Sequence, residues 1–84
     1  MFKVIIEEKA KKDIRSLPPK DIASIISRLS ELAKNPRPRQ SKKLIGSDED
    51  YRLRVGNYRI LYTIDDKEKV VVIYRIRHRK EVYR

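Results

Sequence analysis

The apolar and polar positions of the first half of the chain follow a helical period after a short strand. Residues 2–6 are rich in strand-forming side chains. Apolar residues within 10–17 then recur at three- and four-residue spacing, and Pro18-Pro19 ends that segment. A second helix is predicted from Pro19 to Asn35, because six apolar residues of this segment fall on one face of a helix: Ile22, Ile25, Ile26, Leu29, Leu32 and Ala33.

The second half of the chain follows the two-residue period of β-strands. Residues 51–55 and 58–64 alternate between apolar and polar side chains, and Gly56-Asn57 between them is typical of a two-residue turn of type I′ or II′. A charged turn then leads to a last strand over residues 70–77. The order β-α-α-β-β-β predicts one α+β domain over residues 1–84, with a helical hairpin packed on one face of an antiparallel sheet.

The charge of the chain is strongly positive and unevenly distributed. Among 84 residues, 22 Lys and Arg stand against 12 Asp and Glu, a net charge of +10. This balance favours a polyanionic partner, nucleic acid first and an anionic membrane surface second. Residues 51–64 and 70–84 hold eight basic side chains and one acidic one, so they carry +7 of that charge. Such a local excess indicates a binding site.

Composition excludes several other classes of protein. The chain has no cysteine and one histidine, so neither a disulfide framework nor a thiolate or histidine-rich zinc site can form. Its longest uncharged apolar run is residues 70–74, far shorter than the roughly 20 residues that cross a bilayer. The start of the chain does not have the pattern of a signal peptide. We therefore expect a cytoplasmic protein without a membrane partner.

The predicted hairpin brings arginines together on the face of the sheet away from the helices. With Gly56-Asn57 as the turn, Arg54 lies directly opposite Arg59, and Arg52 lies diagonal to it. Like charges opposed in this way cost about 0.2–1 kcal/mol, so folding alone does not favour them. Guanidinium groups match the oxygens of phosphate, which would complete the cluster. The alternative is an ordinary charged face in contact with solvent.

The last strand extends this pattern. If residue 64 meets residue 70 across the charged turn, Arg75 lies opposite Arg59, and Arg77 lies further along the same face. Five arginines would then share one side of three strands. A one-residue change of register would scatter them.

Arginines can bind a phosphate and stabilise developing charge, but they cannot remove a proton from a hydroxyl. The nearby candidates for proton transfer are His78 and Tyr83. No acidic residue falls inside the arginine-rich strands, and the nearest ones are expected in turns, so we expect neither a metal ion nor another cofactor; these residues are Asp48, Glu49, Asp50, Asp65, Asp66 and Glu68. A metal-free cleavage of a phosphodiester would use the 2′-hydroxyl on the adjacent phosphorus, which makes RNA the expected substrate.

The strand motifs and the C-terminal motif resemble the RelE family of bacterial and archaeal toxins. The motifs are Tyr51-Arg52-Leu53-Arg54-Val55, Tyr58-Arg59-Ile60-Leu61-Tyr62, Val71-Val72-Ile73 and His78-Arg79-Lys80-Glu81-Val82-Tyr83. The resemblance covers essentially the whole chain. It implies an mRNA interferase that enters the ribosomal A site, cuts mRNA there without a metal, and is neutralised by a RelB-like antitoxin.

The resemblance also implies roles for single residues. Arg52 and Arg54 match two basic positions that are lysines in the best-known member, and Arg59 matches a phosphate-binding arginine. Arg79 matches an arginine that protonates the leaving group or steadies the phosphate. Tyr83 matches a C-terminal tyrosine that acts as general base or stacks on a nucleobase, although its spacing from Arg79 is shorter here. Since arginine does not give up its proton, the acid–base work falls to Tyr83 or His78. Further RNA-binding residues are predicted to be Lys42, Lys43, Arg75, Arg77 and Lys80.

Two other functions stay open from the sequence. ParE-like toxins share the fold and inhibit DNA gyrase, and fold alone does not separate the two activities. The combination of the arginine set with a terminal His, Arg and Tyr favours the RelE type. A third possibility is an RNA- or ribosome-binding domain without catalysis, whose affinity would depend on salt.

Overall fold

The computed structural model describes the backbone of residues 1–82 and the side chains of residues 1–80. Its elements follow the predicted order, with two short additions. They are β1 (Lys3–Ile6), α1 (Glu8–Arg15), α2 (Pro19–Lys34), β2 (Ser41–Lys43), β3 (Asp50–Val55), β4 (Tyr58–Asp65), β5 (Val70–His78) and α3 (Arg79–Val82). The additions, β2 and α3, cover residues predicted as a loop and a tail.

The helical hairpin forms where the apolar stripes predict it. Pro19 occupies the first position of α2, where its missing amide hydrogen costs no helical hydrogen bond. Ala10 and Ile14 of α1 are buried, as are three residues of the α2 stripe, namely Ile25, Leu29 and Leu32. Ile26 is the exception in that stripe: it is 44% exposed, because it lies at the edge turned away from the sheet.

The strands form one five-stranded sheet in the order β1-β5-β4-β3-β2. The pairings of β3 with β4 and of β4 with β5 are antiparallel, as predicted, and so is that of the additional strand β2 with β3, but β1 pairs with β5 in parallel. The prediction of an entirely antiparallel sheet is therefore wrong at this edge. After β1 the chain forms the helical hairpin and the strands β2, β3 and β4. It then returns as β5, which lies beside β1 and runs in the same direction.

The turn between β3 and β4 sets their register as predicted. Gly56 has a φ of +58°, and Asn57 does not adopt a positive φ, the combination found in a type II′ turn. Val55 pairs with Tyr58 and Arg54 with Arg59. Both strands therefore direct their alternate apolar residues to the helices.

The register between β4 and β5 differs from the prediction. Val70 pairs with Asp65 and not with Ile64, which moves the pairing by one residue. An irregularity between Leu61 and Tyr62 moves it by one further residue. Arg59 consequently lies opposite Arg77, so the predicted pairing of Arg59 with Arg75 is wrong. Since the total shift is two residues, Arg77 stays on the same face as Arg59.

The segment between α2 and β2 is fixed to the sheet by polar contacts. The hydroxyl of Tyr62, a fully buried side chain, donates to the Pro36 carbonyl at 2.7 Å. Arg37 donates to both carboxylate oxygens of Asp66 at 3.0 and 2.7 Å, and through Nε to the Tyr51 hydroxyl at 3.0 Å. Hydrogen bonding from Arg37 lowers the pKa of the Asp66 carboxyl below its ordinary value. These bonds hold residues 36–40 beside the sheet.

Candidate functional site

The predicted arginines line one hollow on the face of the sheet opposite the helices. The hollow has a volume of about 180 Å³ and is lined by Gln40, Lys42, Arg52, Arg54 and Arg59. Three neighbouring strands build it, because Lys42 of β2 pairs with Arg52 of β3, and Arg54 of β3 pairs with Arg59 of β4. The shared face predicted for Arg52, Arg54 and Arg59 is confirmed.

Arg59 is the central residue of the hollow. It is 5% exposed, although its side chain is charged. Its Nη1 donates to the Tyr58 carbonyl at 3.3 Å, and the residues opposite it on the two neighbouring strands are Arg54 and Arg77. A guanidinium held this way keeps its position before a ligand arrives, which is the property of a preorganised anion site.

The opposition of Arg54 and Arg59 predicts a measurable loss of stability. Arg54→Thr keeps a good strand former and removes the like-charge contact, so we expect the free energy of unfolding to rise by about 0.5 kcal/mol at low ionic strength. In about 1 M salt, where charges are screened within ~3 Å, the gain should shrink toward zero. Urea unfolding at both salt concentrations measures this, with Arg39→Thr as the control in an exposed loop. Equal or lower stability of Arg54→Thr at low salt would contradict it.

Arg75, predicted to join the arginine face, is neutralised by a helix instead. Its Nε donates to Asp13 Oδ2 at 2.9 Å and its Nη2 to Oδ1 at 3.3 Å, while the backbone N–H of Ile76 donates to the same carboxylate at 2.9 Å. The pairing with β1 ends at Ile73, so this part of β5 faces α1. Arg75 lies opposite Leu61, two residues from Arg77, so its position on the strand face agrees with the prediction, but its guanidinium is paired with Asp13 and does not line the hollow.

His78 lies on the side of the sheet that faces the helices. Its ring packs edge-on against Tyr58, with centroids 5.5 Å apart and planes at 85°, and both residues line a hollow with Leu17 of α1. The structure thus separates His78 from the arginine hollow by the thickness of the sheet. His78 Nδ1 accepts a hydrogen bond from the backbone N–H of Lys80 at 3.3 Å, a contact at the start of α3.

The remaining predicted residues within the described part of the chain do not line the hollow. The prediction is wrong for Lys43, because it pairs with Tyr51 and so lies on the opposite face of the sheet from Lys42. Lys43 is exposed on β2, and Arg79 and Lys80 are exposed in the first turn of α3. The backbone N–H of Arg79 donates to the Asn57 carbonyl at 2.7 Å, which fixes α3 to the end of the sheet where the hairpin turns. Tyr83 lies outside the described residues.

Comparison with known proteins identifies the family. A family model described as the ParE toxin of the type II toxin-antitoxin system, parDE, matches residues 4–83. The chain belongs to the RelE/ParE superfamily of toxins. A protein designated as toxin RelE1 from Methanocaldococcus jannaschii is 33% identical over 86 residues, which cover 99% of this chain and 96% of that protein.

Solved structures of RelE/ParE toxins share the whole fold. One is the RelBE2 toxin-antitoxin complex from Mycobacterium tuberculosis, with a TM-score of 0.82 and 34% identity over 93% of this chain and 98% of the other. Another is the archaeal RelE-RelB complex from Pyrococcus horikoshii, with a TM-score of 0.84 and 30% identity over 93% and 94% of the two chains. The helical hairpin on a mixed five-stranded sheet is thus the architecture of this superfamily.

The hollow contains one residue that was not predicted from the sequence, Gln40. Gln40 lines it from the segment before β2, and its Oε1 accepts a hydrogen bond from Arg28 Nη2 at 3.1 Å. Residues 41–43 are too few to show a strand period, so no pattern placed Gln40 beside the arginines. Its neighbour Pro38 and the polar run that follows indicated only a loop.

Two further properties hold for the described part of this RelE/ParE toxin. Residues 1–80 contain no group of three or more His, Asp or Glu side chains placed to hold a metal ion. None of the helices within residues 1–82 combines the length and the apolar character needed to cross a membrane.

Proposed function

We propose that this toxin is a ribosome-dependent endoribonuclease that cleaves mRNA in the A site without a metal ion and acts in the cytoplasm. The observation that carries the proposal is the single hollow shared by Arg52, Arg54, Arg59 and Lys42. Four cations around a volume of about 180 Å³ suit a phosphodiester. The resemblance to RelE toxins supplies the ribosome and the A site.

The cations of the hollow supply charge stabilisation. The 2′-oxygen of one nucleotide attacks the adjacent phosphorus, and the bond from phosphorus to the 5′-oxygen of the next nucleotide breaks. Arg52, Arg54 and Arg59 neutralise the extra negative charge that the phosphorus group carries in the transition state. Arg77, opposite Arg59 on β5, and Lys42 hold the neighbouring phosphates.

Proton transfer requires groups beyond the hollow. A base takes the proton of the 2′-hydroxyl, and the departing 5′-oxygen, stabilised by a cation, takes a proton from water, which leaves a 2′,3′-cyclic phosphate and a 5′-hydroxyl. We assign the base to Tyr83, since the sheet stands between His78 and the arginines. Arg79, exposed at the start of α3 beside the hairpin turn, is assigned to the leaving group.

We further propose a RelB-like antitoxin as the partner that neutralises the toxin. The relatives from M. tuberculosis and P. horikoshii were both solved as toxin-antitoxin complexes. An acidic or apolar segment of the antitoxin would cover the basic hollow or displace the C-terminal tail. Either action removes the phosphate site or its proton-transfer group.

The first test is the chemistry of the cut. Purified toxin added to translating ribosomes should yield mRNA fragments that end in a 2′,3′-cyclic phosphate upstream and a 5′-hydroxyl downstream. Replacing the reacting nucleotide by its 2′-deoxy analogue should abolish the cut at that position. Cleavage that persists at the 2′-deoxy position, or intact mRNA throughout, would refute the proposal.

Inhibition of DNA gyrase is the second candidate, because the matching family model is described as a ParE toxin. A supercoiling assay with purified gyrase separates the two. Arrest of gyrase together with intact mRNA on ribosomes would support the ParE activity. RNA binding with neither effect would support a non-catalytic RNA- or ribosome-binding domain.

A further inference from the structure

Gln40 is the one uncharged side chain among the residues that line the described hollow. The four cations there bind phosphates, which are the same for every nucleotide. A residue that distinguishes bases must present a donor or an acceptor in a fixed orientation. Gln40 carries both, in its amide NH₂ group and its carbonyl oxygen.

Arg28 of α2 fixes which atom of the Gln40 amide faces the helix. The guanidinium has donors only, so the atom 3.1 Å from its Nη2 is the carbonyl oxygen Oε1. The NH₂ group is left on the other side of the amide. Arg28 is itself held by Glu31, one turn along α2, with 3.2 Å between Arg28 Nε and the carboxylate.

The backbone on both sides of Gln40 is also fixed. The amide and the hydroxyl of Ser41 both donate to the Pro38 carbonyl, at 2.9 and 2.7 Å. Arg37 ties the same segment to Asp66. The Gln40 side chain is therefore held at both ends, by the fixed backbone and by the hydrogen bond that its carbonyl oxygen accepts. This limits the rotation of the NH₂ group.

From this geometry we infer that Gln40 is a specificity-determining residue, whose NH₂ group selects nucleotides with a carbonyl on the base edge. This inference rests on the proposed RNA cleavage. Guanine O6 and uracil O4 accept a hydrogen bond from such a donor, whereas adenine N6 and cytosine N4 carry amino groups that oppose it. The preference applies to the base next to the phosphate bound in the hollow.

The inference is tested on ribosomes with pairs of codons that differ in a single base. Ribosomes with a vacant A site are loaded with one of two mRNAs that differ at a single position of the A-site codon. One comparison sets uridine against cytidine at that position, and the other sets inosine against adenosine. Both comparisons are made at each of the codon positions in turn. The members of each pair have the same ring and differ in the carbonyl or amino group and in the hydrogen on the ring nitrogen beside it. At one codon position the toxin should cleave the carbonyl member about five- to tenfold faster, the value of one hydrogen bond.

Three variants connect the preference to Gln40. Gln40→Glu should reverse it, because a carboxylate only accepts hydrogen bonds and so favours amino groups. Gln40→Ala should cleave both members of each pair at equal rates. Arg28→Ala should weaken the preference with Gln40 still in place, since the amide is then free to rotate. A merely structural role of Arg28 would slow both members alike.

The outcomes separate this inference from the proposed function. If the toxin cuts no codon at all, the proposed endoribonuclease activity fails. If it cuts mRNA but treats both members of every pair alike, or if Gln40→Ala keeps the preference, only the role of Gln40 is overturned. Complete loss of cleavage in a folded Gln40→Ala protein would also overturn it, because Gln40 would then be needed for every substrate.

Discussion

Arg59→Met is expected to lower the rate of mRNA cleavage on ribosomes by roughly 10²–10³-fold while the protein stays folded. The guanidinium of Arg59 is held at the centre of the hollow, 5% exposed and between Arg54 and Arg77. Methionine keeps an unbranched apolar side chain in the same space and removes the charge. The rate is measured from mRNA ends mapped at successive times, and folding from circular dichroism and urea unfolding.

Arg15→Met is the matched control for this experiment, since Arg15 is exposed in the last turn of α1. It removes the same charge from the chain and should leave the rate within about twofold, as expected of a surface arginine outside the site. Near-normal cleavage by a folded Arg59→Met protein would contradict the assignment of the hollow. An equal loss in both variants would mean that total charge, and not this position, governs activity.

The second large effect is a loss of stability at high pH that depends on Tyr62. Burial raises the pKa of the fully buried Tyr62 phenol to about 12. In the unfolded chain the group ionises near pH 10, so stability is complete below that pH and is lost as the pH rises toward 12. A difference of about two pKa units corresponds to about 2–3 kcal/mol of unfolding free energy.

Tyr62→Phe separates this effect from other alkaline changes. The variant should be less stable at neutral pH by about 1–2 kcal/mol, because the Pro36 carbonyl loses the hydrogen bond it accepts from Tyr62. Its stability should then decline less than that of the native protein between about pH 10 and about pH 12. Urea unfolding across this range gives both numbers. If the free energy of unfolding declines equally in the two proteins over this pH range, the ionisation of Tyr62 does not change on unfolding and the prediction is contradicted.

The sequence predicted the arginine hollow because its geometry is local. Arg52, Arg54 and Arg59 belong to one hairpin, and Gly56 at a positive φ fixes the pairing within a few residues. A two-residue side-chain period then decides which face they share. Neither the helices nor the last strand affects that result.

Features that depend on the last strand were not predictable in the same way. The turn closes at Asp65 and Val70, one residue from the predicted pairing, and the irregularity between Leu61 and Tyr62, which has no signal in the sequence, adds a second residue to the difference in the partner of Arg59. Pairing of Arg75 with Asp13 joins residues far apart in the chain. His78 was associated with the arginines because it follows Arg77, although adjacent residues of a strand point to opposite faces.

The parallel pairing of β1 with β5 has a consequence for the order in which the molecule is completed. Lys3 pairs with Val70, and β5 is also the strand that brings Arg77 to the arginines. Among the described residues β5 is the one strand beside β1, so β1, which is synthesised first, pairs only after β5 has been made. The strand that gives β1 its place in the sheet is therefore the same strand that adds Arg77 beside Arg59, so both steps of assembly wait for the synthesis of residues 70–78.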